Sequence, residues 1–373
     1  MSRPVEPYRI AIPEDELTEL RDRLARTRWP DPGTVDDWSQ GVPLDYVREL
    51  AAYWADGYDW RAAEARMNAY PQFRTEIGGL GVHFLHARSP HPGALPLLLL
   101  HGWPGTFAEF LDVVGELTDP ADPADAFHVV CPSLPGYGFG DRPTAPGWGV
   151  ERIAETFAEL MSRLGYERFA AHGGDWGSFV TAQLAHHVPG RLAGVHVTMA
   201  FAGPPQDAPP LTEADRAGLA RLEEFRRTGS AYAAVQSTRP QTLGYGLTDS
   251  PAGQLAWIAE KYAEWTDHDG DPEKAVPRDR LLDTASVYWF TATATSAARL
   301  YWESYADGPA HPVPVPSGVT VFPRDARMPR AWVESRFTDL RHWCDAGSGG
   351  HFPAIERPDF LVDELRGFFG PLR

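Results

Sequence analysis

Phe169–Ser178 reads FAAHGGDWGS, and this stretch decides the fold. Phe169–His172 is a short apolar run of the buried-strand type, and Trp176–His187 is a helix candidate. Between them stands Gly173-Gly174-Asp175-Trp176-Gly177. That is the strand–turn–helix setting of a nucleophile elbow, G-x-Nuc-x-G, with Asp175 where many esterases carry Ser. The glycines let the chain turn sharply and let strand and helix pack closely. Alone, the same residues also read as a Gly-rich turn with a capping Asp, so the rest of the chain has to decide.

Upstream, Leu97–Leu100 runs directly into His101-Gly102-Trp103-Pro104-Gly105. In hydrolases built on such an elbow, a loop of this type supplies one backbone N–H of an oxyanion hole. The residue after the nucleophile supplies the other. These donors would be the N–H groups of Trp103 and Trp176, with the His101 side chain bracing the loop. Downstream, Gly349-Gly350-His351-Phe352-Pro353 follows the strand-like run Leu340–Cys344 and precedes a C-terminal helix. The chain order nucleophile, acid, His puts the base there and the acid at the end of the strand Gly318–Phe322. Asp325, in Phe322-Pro323-Arg324-Asp325, stands in that place. Its bland alternative is an exposed loop Asp paired with an Arg. Gly136-Tyr137-Gly138-Phe139-Gly140, after the strand Phe127–Cys131, reads as a loop near the mouth of the same site.

Working outward, Phe73–Ala87 reads as a hairpin turning at Gly78-Gly79. Leu95–Leu100, Phe127–Cys131, Phe169–His172, Gly194–Thr198 and Gly318–Phe322 are buried-strand runs, and helical segments such as Val150–Leu164 separate several of them. Alternation of this kind predicts an α/β fold with a mostly parallel sheet. Pro-rich joints, Gly203–Leu211 and Gly308–Pro316, flank a mostly helical block that reads as an insertion. The first 70 or so residues look helical and Trp-rich, with Leu17, Leu20 and Leu24 on one stripe. The predicted organisation is a helical meander at 1–71, core at 72–202, a helical lid at 203–316 and core again at 317–373.

The chain has 373 residues and a net charge of −17. Without a Lys/Arg stripe it is not suited to nucleic acid, and the acidity disfavours anionic membranes. Cys131 and Cys344 are too few for a disulfide framework or a Cys-rich zinc site, and read as buried small hydrophobes. The acidic cluster Asp267-His268-Asp269-Gly270-Asp271 lacks the Gly and Glu positions of an EF-hand loop and reads as a solvated lid loop. With no signal peptide or membrane-spanning run, the expectation is a soluble, cytoplasmic protein.

HGWPG, PSLPGYGF, GGDWG and GGHFPAIERP together resemble an epoxide hydrolase of the α/β-hydrolase fold, in its microsomal-type branch. The segments QSTRPQTLGYGLTDSPAGQLAWIAEKY and ARLYWES and the N-terminal meander extend the likeness over nearly the whole chain. Soluble bacterial members similar to those of enediyne antibiotic pathways offer one biological setting. The resemblance implies two lid tyrosines that polarise the epoxide oxygen. By local motif these are Tyr232 and Tyr301, with Tyr245 and Tyr288 as competitors. It implies a small-molecule epoxide substrate and no cofactor or metal, and it leaves a homodimer open.

The chemistry explains Asp at the elbow. A Ser alkoxide attacking an epoxide carbon would leave an ether, whereas a carboxylate leaves an ester that water can hydrolyse. Two rivals share the scaffold. A haloalkane dehalogenase also uses an Asp elbow followed by Trp, and a catalytically inactive binding protein would keep the pocket without turnover. Lid Trp residues (Trp257, Trp265, Trp289, Trp302) point to a bulky or aromatic epoxide.

Overall fold

The computed structural model describes residues 4–305 and 311–373. Nine strands form one sheet: β1 (Glu6–Tyr8), β2 (Gln72–Ile77), β3 (Leu80–Ala87), β4 (Leu95–Leu100), β5 (Phe127–Pro132), β6 (Phe169–Gly173), β7 (Leu192–Val197), β8 (Ser317–Val321) and β9 (Leu340–Asp345). Their spatial order is β1-β2-β3-β5-β4-β6-β7-β8-β9. The pairs from β1 to β5 are antiparallel, and every pair from β5 onward is parallel. Gly78 and Gly79 both take positive φ, 59° and 83°, at the β2–β3 turn, as a tight two-residue hairpin demands.

β4 shows why the sheet has two covered faces. Leu98 and Leu100 belong to one apolar core with the helices Val150–Arg163 and Asp175–His187. Leu97 and Leu99 belong to a second core with the helices Leu111–Thr118 and Pro358–Phe369. A strand that is apolar on both sides can sit only between two layers. The chain leaves β4 for β5 on one side, while β6 lies on the other. Such a switch point opens a crevice beyond the carboxyl ends of the strands. The loops after β4, β6, β8 and β9 all emerge at that end, and they carry Trp103, Asp175, Asp325 and His351.

Among the described residues, six α-helices stand between β7 and β8: Glu213–Thr228, Ala231–Thr238, Pro240–Asp249, Pro251–Trp265, Arg278–Thr291 and Ala294–Ser304. Pro240 and Pro251 each open a helix, where a missing N–H costs nothing. The Gly-rich loop after β5 clamps the last helix. The Tyr137 hydroxyl donates to Ala297 O (3.2 Å), and Ser296 Oγ donates to Gly136 O (2.5 Å).

The N-terminal segment has three α-helices, Glu14–Ala25, Leu44–Asp56 and Trp60–Met67. It also supplies β1, which the helical reading of this region missed. β1 is three residues long, carries Pro7, and takes its register from β2 alone. An edge position is where a sheet tolerates Pro. The segment grips the helices between β7 and β8. Trp54 Nε1 donates to Ser286 Oγ (2.9 Å), Tyr58 to Asp283 (2.8 Å) and Tyr53 to Asp279 (2.8 Å), while Arg66 pairs with Asp283. Cys131 is buried as expected, but Cys344 is only partly so, because β9 is an edge strand with an incompletely covered face. Both thiols are free.

Candidate active site

Asp175 begins the helix Asp175–His187 with a φ of 47°. A non-glycine residue in that region is strained, and here the strain lifts its carboxylate out of the β6–helix turn. Two close approaches make the bend possible. A Cβ on Gly177 would lie 2.0 Å from Leu100 O, and a Cβ on Gly102 would lie 2.1 Å from Asp175 Oδ1. The Trp103 N–H donates to Asp175 Oδ1 at 2.8 Å, and the Trp176 N–H is a second donor toward the same carboxylate. Burial raises the Asp175 pKa, and His351 with these two N–H groups works against the rise. The helix N-terminus adds a favourable dipole for negative charge.

His351 faces Asp175 with Nε2 3.7 Å from Oδ2, and its Nδ1 lies 3.2 Å from Asp325 Oδ1. The carboxylate at Nδ1 fixes the tautomer that leaves Nε2 toward Asp175. At 3.7 Å the second contact is electrostatic, not a hydrogen bond. Burial disfavours the imidazolium, but Asp325, Asp175 and Glu109 together outweigh it and lift His351 to about 9. The lid holds the His351 loop: the His351 N–H donates to Trp265 O (2.9 Å), and the Gly349 N–H donates to Asp267 Oδ2 (2.8 Å). Asp267 is therefore a tie between lid and core, not merely part of a solvated acidic loop. His101 accepts from the Leu134 N–H at Nε2 (3.1 Å) while Nδ1 meets Gly102 O (3.0 Å), so it bridges two site loops.

Above the carboxylate lies an aromatic layer. The Tyr232 ring stacks on Trp103 (4.9 Å between centroids, 13° between planes). Tyr301 meets Trp176 edge-on (4.8 Å, 87°), and Tyr232 and Tyr301 are 5.8 Å apart. Burial raises both phenols well above their ordinary pKa, and each also feels Asp175. The two competing tyrosines lie elsewhere. Tyr245 is 73% exposed, and the Tyr288 hydroxyl donates to Gly105 O (3.1 Å).

Three residues that sequence reasoning passed over also belong to this neighbourhood. Lys261 is 2% exposed, with its ammonium 4.6 Å from the Tyr232 ring centroid and paired to Glu264 at 2.8 Å. Its signal was rarity, since the chain has only two lysines, Lys261 and Lys274. Glu109, in the short turn Phe107–Phe110, and Thr198, just past β7, line a small cavity with Asp175 and His351. For Glu109 the available signal was a carboxylate inside the apolar run after HGWPG.

A much larger cavity, about 1320 Å³, lies between the N-terminal segment, the 135–146 loop and the helix Ala294–Ser304; no triad residue lines it. The described residues include one trio with metal-ligand spacing, His196, His342 and Glu364. Its groups already bond within the chain: His342 Nε2 meets Glu364 (2.8 Å), and His196 Nε2 meets Thr320 Oγ1 (3.1 Å).

The fold and this Asp–His–Asp constellation define an α/β hydrolase with a carboxylate at the elbow. Residues 5–110 match the family model described as the epoxide hydrolase N terminus, and residues 96–242 match the alpha/beta hydrolase fold. A Stigmatella aurantiaca protein whose name places it among the epoxide hydrolases is 49% identical over 99% of this chain and 86% of its own length. Epoxide hydrolase 1 of Sus scrofa is 34% identical over 99% and 89%. The structure of Aspergillus niger epoxide hydrolase superposes with a TM-score of 0.91 at 34% identity, covering 100% of this chain and 97% of that one. The juvenile hormone epoxide hydrolase of Bombyx mori gives a TM-score of 0.91 at 30% identity, covering 100% and 95%. The chain belongs to the epoxide hydrolases, in the microsomal-type branch that carries this N-terminal region. No helix among the described residues is long and apolar enough to cross a membrane.

Proposed function

We propose that the enzyme opens its epoxide through a covalent ester on Asp175. The observation that carries this reading is the convergence of five groups on one carboxylate: two backbone N–H donors, His351 and a pair of phenols. In the first step an Asp175 oxygen attacks an epoxide carbon, and the ring C–O bond breaks. Tyr232 and Tyr301 hydrogen-bond the departing oxygen, and one phenolic proton passes to it. Their raised pKa keeps them protonated until that moment. The charged His351 returns a proton to the tyrosinate and becomes neutral. Because the same step removes the negative charge of Asp175, it also removes part of what held His351 protonated.

In the second step neutral His351 takes a proton from water, and the resulting hydroxide adds to the ester carbonyl. The oxyanion sits against the Trp103 and Trp176 N–H groups, each typically worth about 3 kcal/mol of barrier. Collapse expels the second diol oxygen, which takes up the proton from the newly formed carboxyl. The enzyme returns to ionised Asp175 and charged His351. Asp325 orients His351 and stabilises its charged form. Residues 203–316 act as the lid in this scheme and 1–71 as the strap that holds it.

Trp265, packed against Trp103, Tyr232 and His351, supports a bulky or aromatic epoxide as substrate, whereas Trp302 is more than half exposed. The likeness to soluble bacterial relatives suggests secondary metabolism, including antibiotic assembly, and we take the site of action to be the cytoplasm. A homodimer is compatible with this account. A single turnover in ¹⁸O-water, with enzyme in excess over styrene oxide, tests the mechanism. The first diol formed is expected to carry an unlabelled oxygen from Asp175, and the label is expected in the protein. A diol labelled fully from solvent would overturn the covalent route.

A further inference from the structure

The covalent reading requires a hydrolytic water, and the cavity beside Asp175 is built to hold one. It measures about 10 Å³, close to the minimum of roughly 10–15 Å³ that one water needs. Its lining includes Asp175, His351, Glu109 and Thr198. Thr198 is 1% exposed, and its Oγ1 is buried without a hydrogen-bond partner. An orphaned buried hydroxyl is costly unless something fills the space in front of it.

Glu109, half-buried in the same lining, completes it. No hydrogen bond from the described residues reaches its carboxyl, and its electrostatic neighbours are His351 and Asp175. The chain makes room for it deliberately: a Cβ on Gly105 would lie 2.0 Å from Glu109 Oε2. Gly105 thus does for Glu109 what Gly102 does for Asp175. The two glycines of HGWPG each leave space for one carboxyl group. The Tyr288 hydroxyl on Gly105 O then pins the loop in that position.

We propose that Glu109 and Thr198 hold the water that His351 activates, so that both act in ester hydrolysis and neither in ring opening. The proposal rests on the covalent mechanism above. The water gives one hydrogen to His351 Nε2 and its second to a Glu109 oxygen. It accepts from the Thr198 hydroxyl, and its remaining lone pair faces the ester carbonyl. Burial pushes Glu109 up to about 8, so at neutral pH it is mostly a neutral carboxyl. Its carbonyl oxygen accepts from the water without competing with His351 for the proton.

The test is stopped-flow and quenched single turnover with styrene oxide, reading ester formation and ester decay separately by intact-protein mass. Glu109→Leu removes the accepting oxygen, Glu109→Gln keeps a carbonyl acceptor in the same shape, and Thr198→Val removes only the hydroxyl. Ester formation should stay within about twofold of wild type in all three, while decay slows about tenfold or more in Glu109→Leu and about threefold in Thr198→Val, the worth of one hydrogen bond each, and stays near wild type in Glu109→Gln. If Glu109→Leu does not fold, the Thr198→Val result carries the test. Decay at the wild-type rate in Glu109→Leu and Thr198→Val, or formation slowed as much as decay, would overturn the proposal. His351→Ala serves as the control: if no ester forms there or in wild type, the covalent mechanism itself is wrong.

Discussion

The floor and the roof of this site are made of different materials. The floor is polar, rigid and built from loops at the ends of parallel strands: the Trp103 N–H, Asp175, Asp325, His351 and Glu109. The roof is aromatic and comes largely from the lid: Tyr232, Tyr301 and Trp265, packed on Trp103 and Trp176. The covalent mechanism proposed above has two halves with opposite needs, and the division follows them. Ring opening needs acids that stay protonated in an apolar setting, which buried phenols provide. Ester hydrolysis needs a base, a water and oxyanion donors in fixed positions, which strand-end loops provide.

The comparison breaks most readily at the roof. Replacing both Tyr232 and Tyr301 by Phe should slow ester formation by about a hundredfold or more, the usual size of general acid catalysis. Ester decay should be unchanged, as quenched-flow mass analysis would read it. If decay slows in parallel, floor and roof are not separable.

A smaller effect concerns the cost of the floor. An unfolded Glu titrates near 4.5, whereas folded Glu109 is pushed up to about 8. Between these values the folded state binds the extra proton, so Glu109 weakens the fold progressively as pH rises through that window. Below it the penalty is absent. The neutral Glu109→Gln variant should therefore match wild type near pH 4.5 and gain a few degrees in Tm by pH 8. A Tm difference that stays flat across the range would show that the carboxyl is not held in this way.

Much of the floor was legible in the sequence because its parts are local. GGDWG, HGWPG and GGHFP each carry their meaning in five adjacent residues, and the runs around them mark the strands that hold them. Asp325 was legible from chain order and the end of one strand. Tyr232 and Tyr301 came from resemblance, and nothing in their own spacing separates them from Tyr245 or Tyr288. Glu109 left only a faint mark, a carboxylate inside an apolar run, for a different reason. It matters because Gly105 lacks a side chain and because His351, far along the chain, packs beside it. β1 has three residues and no alternation of its own, so only its partner β2 defines it. Asp267 looked like one acid among several until the Gly349 N–H was found on its carboxylate.

The central claim is that ring opening and ester hydrolysis are served by separate parts of the site, with Asp175 as the covalent link and His351 resetting the tyrosine only after the ring has opened. His351→Ala, mixed with styrene oxide and digested for peptide mapping, tests it most directly. The account predicts that one ester per chain accumulates on the peptide containing Asp175, formed at near the wild-type rate and released hardly at all. Diol release without such an ester, or an ester on a different residue, would contradict it.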